Sequence, residues 1–528
     1  TRRSSDLWPQ APHQGNFVNN GIIGADRAWT SKLTEVKKVY QYVKFTELKN
    51  GTLTLRNAHD FTSLEDFTLK YAVLENGEQT ASGSMALPAV QPGEEANLQI
   101  PLPESLKADA EVLLNLEVCR NAATDFSPAG YPVASAQFEI QTRPATLPDV
   151  EVASTEQPLT VSTLNGNTVV SNNKVSMDFN AEGKLNSWML QGIDLVKADG
   201  GPDYDNYRWI ENDAPYGNDP NYTTANGITS TTTNFTSSAD NLKVTATVQG
   251  TGTLCNYVFT YEIYADGHVD LTAAYTPQQT ELRRLGLSMQ IPGTLSDISY
   301  YARGPWANYV DRCTGSFLGR YTTTVNDMNE YYLRPQTMGN RQDLREVSFT
   351  NPTTGKGFKV ETEGEAAFSA LHWKDAELHT TLHNWELPFS ENAAERTIHL
   401  HLDYRQKGIG NGSCGPGTIS AYELPSSGTF THKLRFTPIG GSGTGIDSPE
   451  KPTAFTIRHN SEFITVSGQL PAGTSATLLN LGGAVLSAAH ATTAAPSLTL
   501  SLASLPKGSY LLVVENAGGQ RVHKFVKM

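Results

Sequence analysis

Arg303-Gly304-Pro305-Trp306-Ala307-Asn308-Tyr309-Val310-Asp311-Arg312 is the run from which the fold is read. About twenty residues on comes Tyr331-Tyr332-Leu333-Arg334-Pro335-Gln336-Thr337-Met338-Gly339-Asn340-Arg341. Asp403-Tyr404-Arg405-Gln406-Lys407-Gly408-Ile409-Gly410 then leads into Ser413-Cys414-Gly415-Pro416. Each run mixes turn-forming Gly and Pro with Tyr, Asn, Asp and Arg. Such residues suit a buried polar network that holds long loops together, because charge-assisted and bidentate bonds are strong where water is excluded. Tyr309, Asp311, Arg312, Asn340 and Arg341 are read as architectural in this sense.

Outward from these runs the chain reads as strands. From about Val150 to Pro438 there is no convincing helix, so nearly 290 residues suggest one large double-sheet sandwich. Upstream, Thr52-Leu53-Thr54-Leu55, the run Phe67 to Leu74 and the run Glu111 to Val118 alternate apolar and polar residues between turns. Roughly seven such strands to Gln141 predict an immunoglobulin-like sandwich. One helix is expected earlier still: Leu33, Val36, Val39, Tyr40 and Val43 fall at helical spacing, with Lys32, Lys37 and Lys38 opposite. Thr30 or Ser31 would cap it, and Glu35 would favour the dipole from the first turn. Its apolar stripe must pack on the next domain or on something outside this chain. Ile439-Gly440-Gly441-Ser442-Gly443-Thr444-Gly445 reads as a flexible linker to a small β-unit ending at Met528.

Composition narrows the function. Lys and Arg number 40 against 54 Asp and Glu, a net charge of −14 that disfavours nucleic acid or an anionic membrane surface as partner. A neutral substrate such as a sugar fits. The four cysteines, Cys119, Cys255, Cys313 and Cys414, include no C-x-x-C pair, so buried free thiols are expected rather than a disulfide scaffold or a zinc knuckle. No apolar run is long enough to span a bilayer. Thr1-Arg2-Arg3-Ser4-Ser5-Asp6 is polar and lacks a signal-peptide core, so the chain is expected to be a fragment or processed product.

In order and content, the three runs resemble the large C-terminal β-sandwich of family 2 glycoside hydrolases of the β-galactosidase type. The resemblance extends upstream. Gln14 to Ile23, Asp26-Arg27 and Thr34 to Gln41 look like the last β/α unit of that family's catalytic barrel. By resemblance, Phe17 (backbone carbonyl) and Asn20 (side-chain oxygen) would hold Na+ beside the substrate, in keeping with the oxygen preference of such ions and with sites at barrel strand ends. The bland alternative for Asn20-Gly21 is a turn. Mg2+ in the full enzyme is left open; His13 and Gln14 stand where an Asn-Asp pair is often found, so neither is assigned to it. Asn206-Tyr207-Arg208-Trp209-Ile210-Glu211-Asn212-Asp213 resembles the family's R-A-P-x-D-N-D loop. It implies substrate binding by Glu211, Asn212 and Asp213, with Trp209 offering a ring to the sugar; the alternative is a loop whose carboxylates cap local backbone. Cys414 stands where some members place a substrate-facing Trp. His372, His379, His383, His399 and His401 are read as scattered sheet histidines, because no acidic partner lies at a fixed spacing.

The tail, with Leu505, Gly508, Tyr510, Lys524, Phe525 and Lys527, resembles C-terminal sorting domains of the type IX export system, implying a periplasmic, cell-surface or extracellular location. The resulting expectation is a mainly β, multi-domain chain. A barrel remnant spans 1–45, an immunoglobulin-like sandwich 46–148 and a large galactose-mutarotase-like sandwich 149–438. The linker is 439–452 and the sorting-type β-domain 453–528. The implied function is the C-terminal portion of a retaining β-galactosidase acting on terminal β-D-galactosides. No catalytic residue is assigned here, the two glutamates being expected upstream. Expected partners are a galactoside or oligosaccharide, the upstream catalytic portion and, in assembly, further copies of the chain. The rival readings are a non-catalytic carbohydrate-binding protein, an aldose-mutarotase-like epimerase and a structural scaffold.

Overall fold

The computed structural model describes residues 21–24, 27–103, 105–213, 227–279, 282–387, 396–440, 455–459, 462–480, 485–506, 508–516 and 519–527. It is mainly β, and it divides into two compact units: residues 145–443, and residues 21–144 with 444–528.

In the second unit the helix spans Ser31–Val39, and Thr30 Oγ1 caps it by accepting from Leu33 N at 3.3 Å. It stops sooner than the apolar spacing predicts. Val39 and Tyr40 are exposed, while Val43 opens the strand Val43–Lys49 and is fully buried. Glu35 lies beyond the first turn, where the helix has no acidic residue. The helix packs on the sandwich that follows it: Lys37 Nζ bonds Tyr131 Oη at 3.2 Å, and Lys38 Nζ bonds the Ser135 carbonyl.

Among the described residues, seven strands lie between Val43 and Gln141. Val43–Lys49, Thr52–Asn57 and Glu95–Gln99 form one antiparallel sheet. Glu78–Ala86, Phe67–Glu75, Val112–Arg120 and Pro132–Gln141 form the other, in that spatial order. Their alternation turns Leu53, Leu55, Leu69, Val73, Leu114 and Leu116 into one dry core. The tail has a core of its own, built on Ile464, Val466, Leu478, Leu500, Leu512 and Val514. The motif residues there are structural: Tyr510 Oη bonds the Pro506 carbonyl at 2.6 Å, and the buried Lys527 ammonium bonds the Leu505 carbonyl at 2.7 Å.

The first unit holds the large sandwich. A nine-stranded antiparallel sheet runs, in spatial order, Ile228–Ser237, Lys243–Gly252, Cys255–Tyr264, Val269–Pro277, Phe430–Ile439, Gly357–Glu363, Glu346–Thr350, Asp297–Gly304 and Phe317–Thr324. Against it lie a five-stranded sheet containing Val175–Phe179 and Leu185–Leu190, and a four-stranded sheet ordered Asp203–Asp205, Arg284–Ile291, Ile398–Gln406, Ala367–Leu371. All three sheets contribute to one continuous core, in which Trp188 meets Phe436 at 4.7 Å between ring centroids. Area burial on this scale, at roughly 25 cal/mol per Å² of apolar surface, is the main stabilising term. A helix of six residues, Asp375–Thr380, interrupts the strands; it is too short to display a helical period. The cysteines are thiols, not a disulfide framework: Cys119 and Cys255 are buried, Cys313 is half-buried and Cys414 is exposed.

Candidate functional site

The three motif runs meet. Asn308 N donates to the Asn340 carbonyl at 2.9 Å, and Asn340 Nδ2 donates back to the Asn308 carbonyl at 2.8 Å. Asn308 Oδ1 accepts from Gln342 N, and its amide reaches the Arg303 and Trp306 carbonyls. Gln406 Nε2 then bonds both Asn340 Oδ1 at 2.9 Å and Asp403 Oδ2 at 2.7 Å. Asn308, Asn340, Asp403 and Gln406 are all fully buried, so each amide exchanges water for protein partners and a single truncation would orphan the rest.

This network positions the loop after Gln406. Asp311 accepts from Ile409 N at 3.0 Å and from Gly410 N at 2.8 Å. Gly408 must lack a side chain, since a Cβ would lie 2.7 Å from Asp311 Oδ2; at Gly412 it would lie 2.4 Å from the Asn212 carbonyl. On the other side Arg208, with no exposure, pairs with Asp213 through Nε–Oδ2 at 2.9 Å and Nη2–Oδ1 at 3.1 Å. The same guanidinium bonds the Gly408 carbonyl at 2.8 Å and the Lys407 carbonyl. Asn212 Nδ2 bonds the Gly410 carbonyl at 2.7 Å, and its Oδ1 accepts from Ser413 N. Glu211 N donates to Gln336 Oε1 at 2.8 Å.

The candidate substrate residues Glu211, Asn212 and Asp213 are therefore brought together with residues 408–413 in one cross-braced pair of loops. Asp213 and Asn212 hold that pair by their own side chains. Trp209 does not offer the ring face expected from the sequence. It is fully buried, its Nε1 bonds the Pro335 carbonyl at 3.1 Å, and Arg334 lies over the ring. The other candidates, Phe17 and Asn20, lie outside the described residues, as do His13 and Gln14.

Beneath the loops lies a charge cluster that sequence spacing does not reveal. Arg284, fully buried, places Nη1 2.9 Å from Asp205 Oδ2 and 3.2 Å from Asp375 Oδ2, and Nε 3.4 Å from Asp403 Oδ1. His401 Nδ1 lies 2.8 Å from the same Asp205 oxygen, and Thr337 Oγ1 donates to Asp375 Oδ1. His401 is thus no scattered sheet histidine: its acidic partners are distant in sequence and near in space. Among the described residues, Asp205, Asp375 and His401 form the one His/Cys/Asp/Glu group close enough to hold a metal ion. The Arg284 guanidinium sits between those carboxylates, so the cation of the cluster is already part of the chain.

Electrostatics sort the members. For Asp205 burial opposes ionisation, but Arg284 and His401 prevail and hold its carboxyl below the ordinary range. For Asp403 burial is the largest influence and outweighs Arg284 and His401, lifting the carboxyl to about 6. Burial works against the Arg284 charge too, yet the three carboxylates keep it firmly protonated. Burial, with the nearby His401, pushes the His399 imidazole down to about 3. Paired and shut from solvent, these carboxylates are unsuited to attack on a glycosidic carbon.

Comparison with known proteins places this architecture. Residues 171–436 match a family model described as beta galactosidase small chain, and residues 53–141 match beta-galactosidase, domain 4. The chain belongs to the β-galactosidase small-chain family. In extent it corresponds to the C-terminal part of a β-galactosidase. It is 27% identical over 447 residues to a β-galactosidase of Priestia megaterium, covering 81% of this chain and 42% of that protein. It is also 27% identical over 471 residues to one of Photobacterium profundum, covering 82% and 44%. The chain thus spans a little over two fifths of the length of these curated relatives. A galactose 1-epimerase from Lactobacillus acidophilus aligns with 52% of this chain and 94% of its own, at 9% identity and a TM-score of 0.30.

Proposed function

We propose that this chain is the C-terminal portion of a retaining β-galactosidase that hydrolyses terminal non-reducing β-D-galactosides. Its cross-braced loops, residues 206–213 and 408–413, form part of the active-site rim, and the preceding part of the enzyme supplies both catalytic glutamates. The observation that carries the reading is the junction of the three family motifs at Asn308, Asn340 and Gln406, which fixes the loop that Asp311, Arg208 and Asn212 hold. A retaining glycosidase needs two carboxyl groups about 5–5.5 Å apart, one acting as nucleophile and one as acid/base. The carboxylates gathered around Arg284 are buried and already paired, so that cluster does not suit the task, in keeping with glutamates supplied by an upstream barrel.

In this reading Phe17 and Asn20 hold Na+ at the barrel's edge, and Mg2+ belongs to the complete enzyme. The tail directs export, and the substrate is a neutral galactoside or oligosaccharide. The test is Asn212→Ala in the complete enzyme. Freeing Gly410 and Ser413 from their anchor should lower kcat/KM by about tenfold, the worth of one or two hydrogen bonds, with the fold retained. An unchanged kcat/KM would remove the rim role.

A further inference from the structure

The large sandwich also holds an open pocket of about 330 Å³; none of its lining residues belongs to the braced loops, although Pro202, Asp203 and Tyr204 lie just before the loop of residues 206–213 in sequence. Its inner wall is aromatic and aliphatic: Phe259 and Tyr204 are buried, Tyr257 is partly exposed, and Val248 and Ile228 complete it. Its rim is polar, formed by Glu182, Lys184, Asp203 and Thr231.

Two glycines shape this pocket. At Gly250 a Cβ would lie 2.0 Å from Tyr257 Cε1, so the bare strand lets the tyrosine ring settle against it. Gly183 has φ +77°, and a Cβ there would come within 2.7 Å of both Thr233 and Val248. The turn can therefore lie close on the sheet and carry Glu182 and Lys184 to the rim.

The rim chemistry is specific. Lys184 Nζ and Asp203 Oδ2 pair at 2.9 Å, and each side chain keeps about a third of its surface exposed (35% and 36%), within reach of a ligand. Burial raises the Asp203 carboxyl above its ordinary value despite Lys184, the mark of a partly desolvated acceptor that gains from new hydroxyl donors. A donor and an acceptor side by side, with a threonine hydroxyl and an aromatic wall, suit a neutral ring bearing hydroxyls on its edge and C–H groups on its face. The volume is at the low end of the roughly 300–1,000 Å³ usual for small-molecule sites, which favours one ring over an extended chain.

We propose that this pocket binds a single pyranose, either a free monosaccharide or the end of an oligosaccharide, as a non-catalytic sugar site. It needs only this chain and no glycosidic cleavage, so it stands or falls apart from the proposed hydrolysis.

The test is calorimetric titration of this chain with D-galactose, using D-sorbitol as the open-chain control. Saturable binding in the millimolar range is expected for galactose and not for sorbitol. The double variant Lys184→Ala/Asp203→Asn removes the pair without leaving a lone charge and should weaken binding by about tenfold or more. Thr231→Val, an isosteric change at the rim, should weaken it by roughly threefold and keeps the test valid if the double variant fails to fold. Absence of saturable galactose binding, equal affinity for sorbitol, or affinity unmoved by folded pocket variants would overturn the proposal.

Discussion

His401 Nδ1 lies 2.8 Å from Asp205 Oδ2 although the two residues are 196 positions apart, and Arg284 closes the contact from the adjacent strand. Replacing Arg284 by Met keeps volume but leaves Asp205, Asp375 and Asp403 buried without their cation. The expected loss is about 3–5 kcal/mol in urea unfolding. Arg284→Lys should recover only part of it, because a point charge cannot serve three carboxylates from one fork. A loss below about 1 kcal/mol for Arg284→Met would show that the cluster contributes little.

Asp403 gives the fold a pH dependence of defined sign. Its carboxyl, raised from 3.8 to about 6, binds its proton more tightly in the folded state. The stability it contributes is present at low pH and is lost as pH rises through about 6. Asp403→Asn has no proton to lose. The stability gap between wild type and Asp403→Asn should therefore narrow by roughly 2 kcal/mol between pH 4 and pH 8, read from urea midpoints. Asp205, held low, acts in the opposite sense below its ordinary value and is common to both proteins. A gap that stays constant or widens with pH contradicts the assignment.

Much of this was legible in the chain. Alternation in Phe67 to Leu74 and in Glu111 to Val118 gave two adjacent strands of the first sandwich, and the three motif runs announced a buried network. The Arg284 cluster was not legible. Asp205, Arg284, Asp375 and His401 come from separate strands and a six-residue helix, and no local period links them. Trp209 misled because a tryptophan in a polar loop looks like a sugar platform until Pro335 and Thr337 are folded over it. The helix ended early because the apolar spacing ran on into Val43, which belongs to a strand.

Of the two residues in the proposed Na+ site, Asn20 would contribute its side chain, so its truncation is the direct probe. In the complete enzyme, Asn20→Ala should blunt the rise of activity with Na+ while circular dichroism stays unchanged. A sodium titration identical to wild type would withdraw both Asn20 and Phe17 from that role.

Truncation after Gly440 tests the tail. Its core of Ile464, Val466, Leu478 and Leu512 is separate from that of the large sandwich, so removing it opens no cavity there. The stability of the large sandwich should change by less than about 0.5 kcal/mol, and export from the native host should stop. Normal export of the truncated protein would count against a sorting role, and a large fall in the sandwich melting temperature would count against independence.

In the proposed function, this chain supports a β-galactosidase active site whose catalytic carboxylates lie in the preceding part of the enzyme. The most direct measurement is hydrolysis of a chromogenic β-galactoside by the purified chain, alone and after mixing with the separately produced preceding portion of the enzyme. Background rates are expected for the chain alone, and turnover on mixing. Robust hydrolysis by the chain alone would contradict this expectation, because two competent carboxylates would then have to lie within residues 1–528.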